Sequence, residues 1–130
     1  MPGDEDSLRG RGFLPGQYPI DAYGDGGFRF GEMSHRGSIL ALPSSMRAWD
    51  VARAADFTVS AFAPVLAEAE RIELLLIGTG RDPAFLPEEL RWTFRDARIG
   101  VDAMTTAAAA RTYNVLLAEN RRVAAALIAV

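Results

Sequence analysis

The chain has 130 residues, of which 49% are hydrophobic and 24% are charged, and its formal net charge is -3. This length and composition fit one globular domain and argue against a wholly disordered chain. Because it has no cysteine and a single histidine, the sequence excludes disulfides, thiolate chemistry and multi-histidine metal sites. Its acidic charge argues against binding to nucleic acid. All 14 basic residues are arginine, which we attribute to codon usage.

The first twelve residues, M-P-G-D-E-D-S-L-R-G-R-G, combine glycine, proline and dense charge. Such a segment buries too little apolar surface to order itself, so we predict a flexible tail over 1–12 and one α/β domain over 13–130. It lacks the basic region and apolar run of a secretory signal. No segment reaches the roughly 20 apolar residues that span a bilayer. The sequence therefore predicts a cytoplasmic protein without a membrane span.

The first third of the domain has the pattern of short antiparallel strands. Apolar and polar residues alternate over 18–22 and again over 28–30, and the glycine-rich turn 24–27 lies between them. Two such runs around a turn predict a β-hairpin. The apolar segments 38–42 and 45–49 predict two further short strands, and we expect antiparallel pairing among all of them.

The most apolar stretch is I-E-L-L-L-I-G-T-G at 72–80. Its aliphatic run is typical of a strand buried on both faces of a parallel or mixed sheet. Helices and strands alternate around it, which predicts a three-layer α/β sandwich. Its mixed sheet would have N-terminal antiparallel hairpins and a C-terminal α-β-α-β-α-β alternation. The predicted helices cover 61–69, 87–97 and 105–119, and the strands after the central one cover 99–103 and 122–128.

Three segments carry a family resemblance: I-E-L-L-L-I-G-T-G at 72–80, M-T-T-A-A-A-A-R-T-Y-N-V-L-L-A-E at 104–119 and R-R-V-A-A-A-L-I at 121–128. With the hairpin region, they make 13–130 similar to bacterial members of the family of uncharacterised domains that includes the mitochondrial respiratory complex I assembly factor 3. Asn120 departs from the family pattern, which has glycine there, and this changes only a helix cap. The resemblance implies a three-layer α/β fold. It also implies a role in protein assembly for the mitochondrial members and no established reaction for the bacterial ones.

The turn after the central strand is the first candidate binding site. Gly78, Thr79 and Gly80 could expose backbone N–H groups that hold an anion or carboxylate, with Arg81 adding positive charge. The segment does not match the usual phosphate-binding motifs, and no predicted helix starts directly after it. The alternative, which we favour, is that the glycines permit a tight exit from a buried strand.

The third predicted helix supplies further candidates. Thr105 and Thr106 lie at its start, where helix N–H groups bind anions, although ordinary helix capping explains them as well. If the strand before the glycine turn neighbours the strand at 99–103, both sets of residues line one crevice. Arg111 and Asn114 share a helix face and could reach a ligand, or they could tie down a loop instead.

No catalytic residue, metal site or cofactor is predicted. His35 has a free pKa near neutrality, but it lies in a glycine-flanked polar segment and is expected to be solvated. The carboxylate pairs are also expected to be solvated charges. They are Glu68 with Glu70 and Glu88 with Glu89.

We therefore carry three hypotheses from the sequence. The first is a non-catalytic interaction or assembly protein that acts through a surface beside the crevice on a protein partner related to respiratory or membrane complexes or their biogenesis. The second is a small-molecule-binding domain or an enzyme that uses the crevice at the glycine turn. The third is a structural domain that forms a homodimer through an exposed strand edge.

Overall fold

A computed structural model of the chain describes residues 13–130, and the predicted tail over 1–12 lies outside the described residues. The described part contains nine strands, three α-helices and three short 3-10 helices. The strands are β1 (Phe13–Pro15), β2 (Ala22–Gly24), β3 (Gly27–Phe30), β4 (Met33–Arg36), β5 (Ser38–Ala41), β6 (Ser45–Trp49), β7 (Leu74–Gly78), β8 (Gly100–Met104) and β9 (Val123–Leu127). The α-helices are α1 (Ala63–Leu66), α2 (Glu88–Asp96) and α3 (Thr106–Ala118), and the 3-10 helices are Ala54–Asp56, Ser60–Phe62 and Ala69–Arg71.

Six strands form one mixed sheet in the order β1-β6-β5-β9-β7-β8. β7 runs parallel to both β8 and β9, and the other pairs in this sheet are antiparallel. β7 and β9 are internal strands and are almost wholly buried. The aliphatic strand is therefore inside the sheet and has parallel neighbours, as its sequence predicts.

The two faces of this sheet have separate hydrophobic cores. Leu75 and Ile77 of β7 pack on the face covered by α2, where Phe94 is buried beside them. Leu76 points to the opposite face, which is covered by α3 and its buried Tyr113. Successive side chains of a strand point to opposite faces, so β7 contributes to both cores. This arrangement confirms the predicted three-layer α/β sandwich.

The predicted hairpin is present, but it belongs to a second sheet. β2 and β3 pair around the two-residue turn Asp25-Gly26, in which both φ angles are positive, as a type I′ turn requires. β3 also pairs with β4, so β2-β3-β4 form a separate antiparallel sheet. It packs on the same face as α3, and β1, β5 and β6 supply the antiparallel strands of the main sheet.

A strand lies where the sequence indicated only a polar connection. The residues of β4 alternate between buried and exposed, and His35 is only 4% exposed opposite Phe28 of β3. The expected solvated histidine was therefore wrong. The physical reason is that Gly31 and Glu32 both adopt positive φ and form a tight turn, which places His35 at an inward position of the alternation.

The helix predicted over 61–69 is broken into α1 and two flanking 3-10 segments. After α1 the amide of Glu68 bonds to the carbonyl of Val65, which tightens the chain to a 3-10 turn. The carboxylate of Glu68 accepts a hydrogen bond from the Ser44 amide at 3.0 Å and lies 3.6 Å from the Arg71 guanidinium. Its side chain is only 15% exposed, so Glu68 is held by protein groups and is not the solvated charge expected.

Candidate functional site

The glycine turn after β7 and the start of α3 meet at one end of the main sheet. Gly78 at the end of β7 is paired in register with Met104 of β8 and with Leu127 of β9. Thr105 caps α3, and its hydroxyl accepts a hydrogen bond from the Ala108 amide at 3.4 Å. The predicted adjacency of the two candidate segments is therefore confirmed.

Thr106, the first residue of α3, lies at the centre of this junction and is fully buried. Its hydroxyl accepts a hydrogen bond from the Gly80 amide at 3.0 Å and donates one to the Ile128 carbonyl at 2.7 Å. Its own amide donates to the Gly80 carbonyl at 2.9 Å. A Cβ added at Gly78 would lie 2.8 Å from both Cα and Oγ1 of Thr106, so only glycine fits at that position.

The donors predicted to hold an anion at the turn are used inside the protein. The Thr79 amide donates to the Met104 carbonyl at 2.8 Å, and the Thr79 hydroxyl donates to the Asp82 carbonyl at 2.7 Å. The Gly80 amide is taken by Thr106, and Gly80 has a φ of +105°, in the left-handed region that glycine favours. An anion-binding nest needs N–H groups that point together at the ligand. These contacts favour the alternative of a tight strand exit.

A shallow pocket of about 330 Å³ lies just outside the turn. Its walls include three of the predicted residues, Gly80, Arg81 and Thr105. The tip of the β2-β3 hairpin forms another wall with Asp25, and the Gly26 amide of this tip donates to the Val130 carbonyl at 2.7 Å. Arg81 is exposed here and offers a planar, bidentate donor to a carboxylate.

The two candidates further along α3, Arg111 and Asn114, also lie outside this pocket. Asn114 ties down the segment before the hairpin: its Nδ2 donates to the Ile20 carbonyl and its Oδ1 accepts from the Ile20 amide, both at 2.8 Å. The neighbouring Tyr113 hydroxyl donates to the Tyr18 carbonyl at 2.8 Å, and burial raises the pKa of Tyr113. Arg111 is exposed on α3. Asn114 thus has the loop-binding role that the sequence left as an alternative.

A larger groove of about 640 Å³ lies at the outer edge of the main sheet. It is enclosed by the segment 83–86, by one side of α2 and by Val101 and Ala103 of β8. Phe85 lies beside it and is 99% exposed, which is unusual for so large an apolar side chain. The sequence interpretation missed this groove. Its signal was the segment P-A-F-L-P at 83–87, where two prolines enclose apolar residues that follow no helical or strand periodicity.

The charged residues that line this groove are both arginines. Arg91 and Arg95 lie one turn apart on α2, and both are exposed. The Arg95 guanidinium lies 5.1 Å from the ring centroid of Trp92, which is itself 53% exposed. Neither arginine forms an ion pair with a residue in the part of the chain that the structure describes. The groove is therefore apolar at its base and positively charged along α2.

No three histidine, aspartate or glutamate side chains within residues 13–130 come close enough together to hold a metal ion. Over the same range, no helix is both long enough and apolar enough to cross a bilayer.

Residues 20–128 match the family described as protein of unknown function (DUF498/DUF598). The chain belongs to this family. An uncharacterised protein of Rhodobacter capsulatus is 40% identical to this DUF498/DUF598 chain over 113 residues, which cover 87% of the chain and 86% of that protein.

The DUF498/DUF598 chain is also similar to NADH dehydrogenase (ubiquinone) 1 alpha subcomplex assembly factor 3 of Homo sapiens, with 32% identity over 109 residues. The match covers 84% of the chain but only 59% of the human protein. It confirms the family resemblance drawn from the three sequence segments. A crystal structure of an outer membrane protein from Bartonella henselae has a TM-score of 0.86 and 53% identity to the chain, and it covers 89% of the chain and 98% of that protein. This likeness confirms the fold.

Proposed function

We propose that this DUF498/DUF598 protein is a non-catalytic interaction domain that assists the assembly of a respiratory or other membrane complex. The observation that carries the proposal is its 32% identity to the human assembly factor over 109 residues. That protein is named for the assembly of an NADH dehydrogenase, and assembly requires contact with other proteins. The corresponding partner here is a subunit or an assembly intermediate of such a complex.

The hydrogen bonds at the glycine turn support a binding role over a catalytic one. The hydroxyls of Thr79 and Thr106 both donate to backbone carbonyls, so neither is directed at a general base that could activate it. The exposed apolar side chain of Phe85 lies elsewhere, at the groove on the sheet edge, and the exposed Trp92 contacts Arg95, which lines the same groove. Exposed apolar surface of this kind is typical of protein interaction sites.

The proposal includes a bacterial, cytoplasmic location. The similar Bartonella henselae structure is called an outer membrane protein, which provides the competing location. Fractionation of the native cells separates the two. We expect the protein in the soluble fraction or loosely attached to the inner membrane, and its recovery with the outer membrane would contradict this part of the proposal.

Deletion of the gene in its native organism tests the assembly role. We expect less fully assembled NADH dehydrogenase in native gels of the membranes, with smaller subassemblies accumulating. Re-expression of the chain should restore the full complex, and affinity capture of the tagged chain should recover one of its subunits or intermediates. Normal assembly in the deletion strain, together with no reproducible protein partner, would refute the proposal.

The pocket at the glycine turn supports a second candidate function, the binding of a small molecule. Its volume of about 330 Å³ would suit a small molecule that offers a carboxylate to Arg81 and a hydrogen-bond donor to Asp25. Thermal-shift screening with organic acids and nucleotides tests this function. We then expect a stabilising hit that Arg81→Ala abolishes, and mass spectrometry of gently purified protein should detect the same compound. The absence of any hit would remove this candidate.

A further inference from the structure

The outer edge of β8 is open in the part of the chain that the structure describes. β8 ends the strand order of the main sheet, and its pairing partner is β7. The Gly100 amide donates to the Glu73 carbonyl, and the Met104 carbonyl accepts from the Thr79 amide, so these two residues direct their backbone groups inward. Because backbone direction alternates along a strand, Val101 and Ala103 direct theirs outward.

The same two residues also line the groove with their side chains. Val101 and Ala103 form its wall on the sheet side, whereas α2 forms the opposite wall. A strand added to the outer edge of β8 would bond to the backbone of Val101 and Ala103. Every second side chain of that added strand would lie on the groove face. Main-chain bonding combined with a pocket for alternate side chains is the usual way in which a sheet edge captures an extended peptide.

The groove selects the charge of such a peptide. Its charged lining residues are Arg91 and Arg95, and neither has a carboxylate partner within residues 13–130. Arginine binds carboxylates through two parallel hydrogen bonds. A peptide whose acidic residues lie two positions either side of an apolar one would present all three side chains to the groove.

We propose that the β8 edge and its groove bind an extended, acidic segment of the partner protein as an added strand. This inference rests on the proposed function and specifies the chemical character of the partner's binding segment. An apolar side chain of the segment enters the groove beside Phe85, and its carboxylates pair with Arg91 and Arg95. The charge complementarity and the outward backbone of β8 specify this occupant.

A second copy of the chain fits this edge less well. Asp102 is the middle residue of β8 and is exposed. An antiparallel β8 pair centred on Asp102 would place the two Asp102 carboxylates opposite each other, which destabilises a cross-strand pair. A second copy would also bring two sets of Arg91 and Arg95 onto one surface, where like charges repel. A partner with an acidic segment avoids this repulsion.

Titration of the 15N-labelled full chain with the peptide Thr-Glu-Thr-Phe-Thr-Glu-Thr tests the site directly. We expect chemical-shift changes at the amides of Val101 and Ala103 and at the side-chain Nε of Arg91 and Arg95. The matched peptide with lysine in place of glutamate should bind about tenfold more weakly. Shift changes elsewhere, or none at millimolar peptide, would overturn the proposal.

Charge reversal tests the pairing with the arginines. Both side chains are exposed, so the double variant Arg91→Glu, Arg95→Glu is expected to fold. This variant should prefer the lysine peptide to the glutamate peptide, and added salt should weaken both preferences. An unchanged preference for glutamate would contradict the assigned role of the two arginines.

Val101→Pro tests the added strand. Its amide points away from β7, so proline there should leave the main sheet intact while removing a bond to the peptide. We expect binding of the glutamate peptide to fall at least about tenfold with an unchanged circular dichroism spectrum. If this variant does not fold, a glutamate peptide that is N-methylated at alternate residues makes the same test on the wild-type chain. Retained affinity in that test would contradict strand addition.

Partner capture by the charge-reversal variant separates this inference from the proposed function, and two further measurements test the occupant. If a captured partner binds the charge-reversal variant as well as the wild type, the docking site is wrong while the assembly role stands. If light scattering shows a dimer that is lost in Val101→Pro, the occupant is a second copy of the chain and not a partner. If a peptide of residues 1–12 binds the groove more tightly than the glutamate peptide, the occupant is the chain's own terminal segment. Either result would overturn the proposal. Partner capture that fails only in the charge-reversal variant would support it.

Discussion

The glycine-turn junction is the place where 78–80 meets 105–106, and the β8 groove is the groove at the outer edge of the main sheet. Side chains are buried and hydrogen-bonded at the junction, whereas they are exposed at the groove. At the junction, Thr106 is fully buried, and its hydroxyl and amide together make three hydrogen bonds to neighbouring segments. At the groove, Phe85 is 99% exposed and two arginines line an apolar depression. In the sequence, polar residues at the end of parallel strands indicate a ligand site. In the structure, their hydrogen bonds join neighbouring segments of the fold instead.

The difference shows which features of this protein point to function. A buried hydrogen-bonded network is expected wherever backbone groups leave a sheet, because unpaired buried polar groups are costly. An exposed aromatic side chain beside an open strand edge has no such structural cause. The groove therefore carries the stronger argument for binding, and the following substitutions test that contrast.

The largest effect is expected from Gly78→Ala. The added Cβ would lie 2.8 Å from the backbone of Thr106, and relief of this contact requires movement of the whole of α3. We expect the free energy of unfolding in urea to fall by about 3 kcal/mol. Gly100→Ala is the matched control on β8, where the new Cβ would meet the Glu73 carbonyl at 3.2 Å and the loss should stay below about 1 kcal/mol. Equal losses would contradict the tighter packing of the junction.

Thr106→Val separates the buried network from simple helix capping. Valine has a similar shape but leaves the Gly80 amide and the Ile128 carbonyl unpaired in the interior. We expect a loss of about 2 kcal/mol in unfolding experiments. Thr105→Val removes only the cap of α3 and should cost about 1 kcal/mol. A smaller loss at Thr106 than at Thr105 would show that the network contributes little.

Tyr113 on α3 should make the free energy of unfolding depend on pH in the alkaline range. Burial raises the pKa of Tyr113 above the value of about 10 expected in the unfolded chain. Its contribution to stability is therefore fully present below about pH 10 and is lost as the pH rises toward the folded-state pKa. Urea unfolding from neutral to strongly alkaline pH should show a shallower decline for Tyr113→Phe than for the wild type. Identical declines would contradict the buried, neutral tyrosine.

The smallest effect is expected at the groove. Phe85→Ser should change the free energy of unfolding by no more than about 0.5 kcal/mol, because the ring makes almost no buried contact. The same substitution should reduce capture of the partner. A large loss of stability would show that Phe85 packs within the fold, and the comparison between the two regions would then fail.

Much of the fold follows from the sequence because its signals are local. The aliphatic run of β7 specifies that strand. The proline before α2 with the acidic residues in its first turn, and the threonine cap of α3, specify those two helices. Asn120 has a φ of 62° after α3, as its position predicts. The parallel pairing of β7 with β8 follows from the alternation of helix and strand.

The rest depends on contacts that the sequence does not display. The hairpin pairs with β4 and not with the main sheet because its apolar residues pack against α3, and the polar residues of β4 conceal that strand. At the candidate site, the sequence brought Gly78 and Thr105 together but could not show that the donors between them were already bonded. The groove combines 83–86 with β8, which are distant in the chain.

Site-specific photo-crosslinking in native cells tests the central contrast most directly. A photoreactive residue is placed at Phe85 in one strain and at Arg81, on the pocket beside the glycine turn, in another. We expect a discrete crosslinked protein from position 85 and none from position 81. A crosslinked partner from position 81 alone would contradict it.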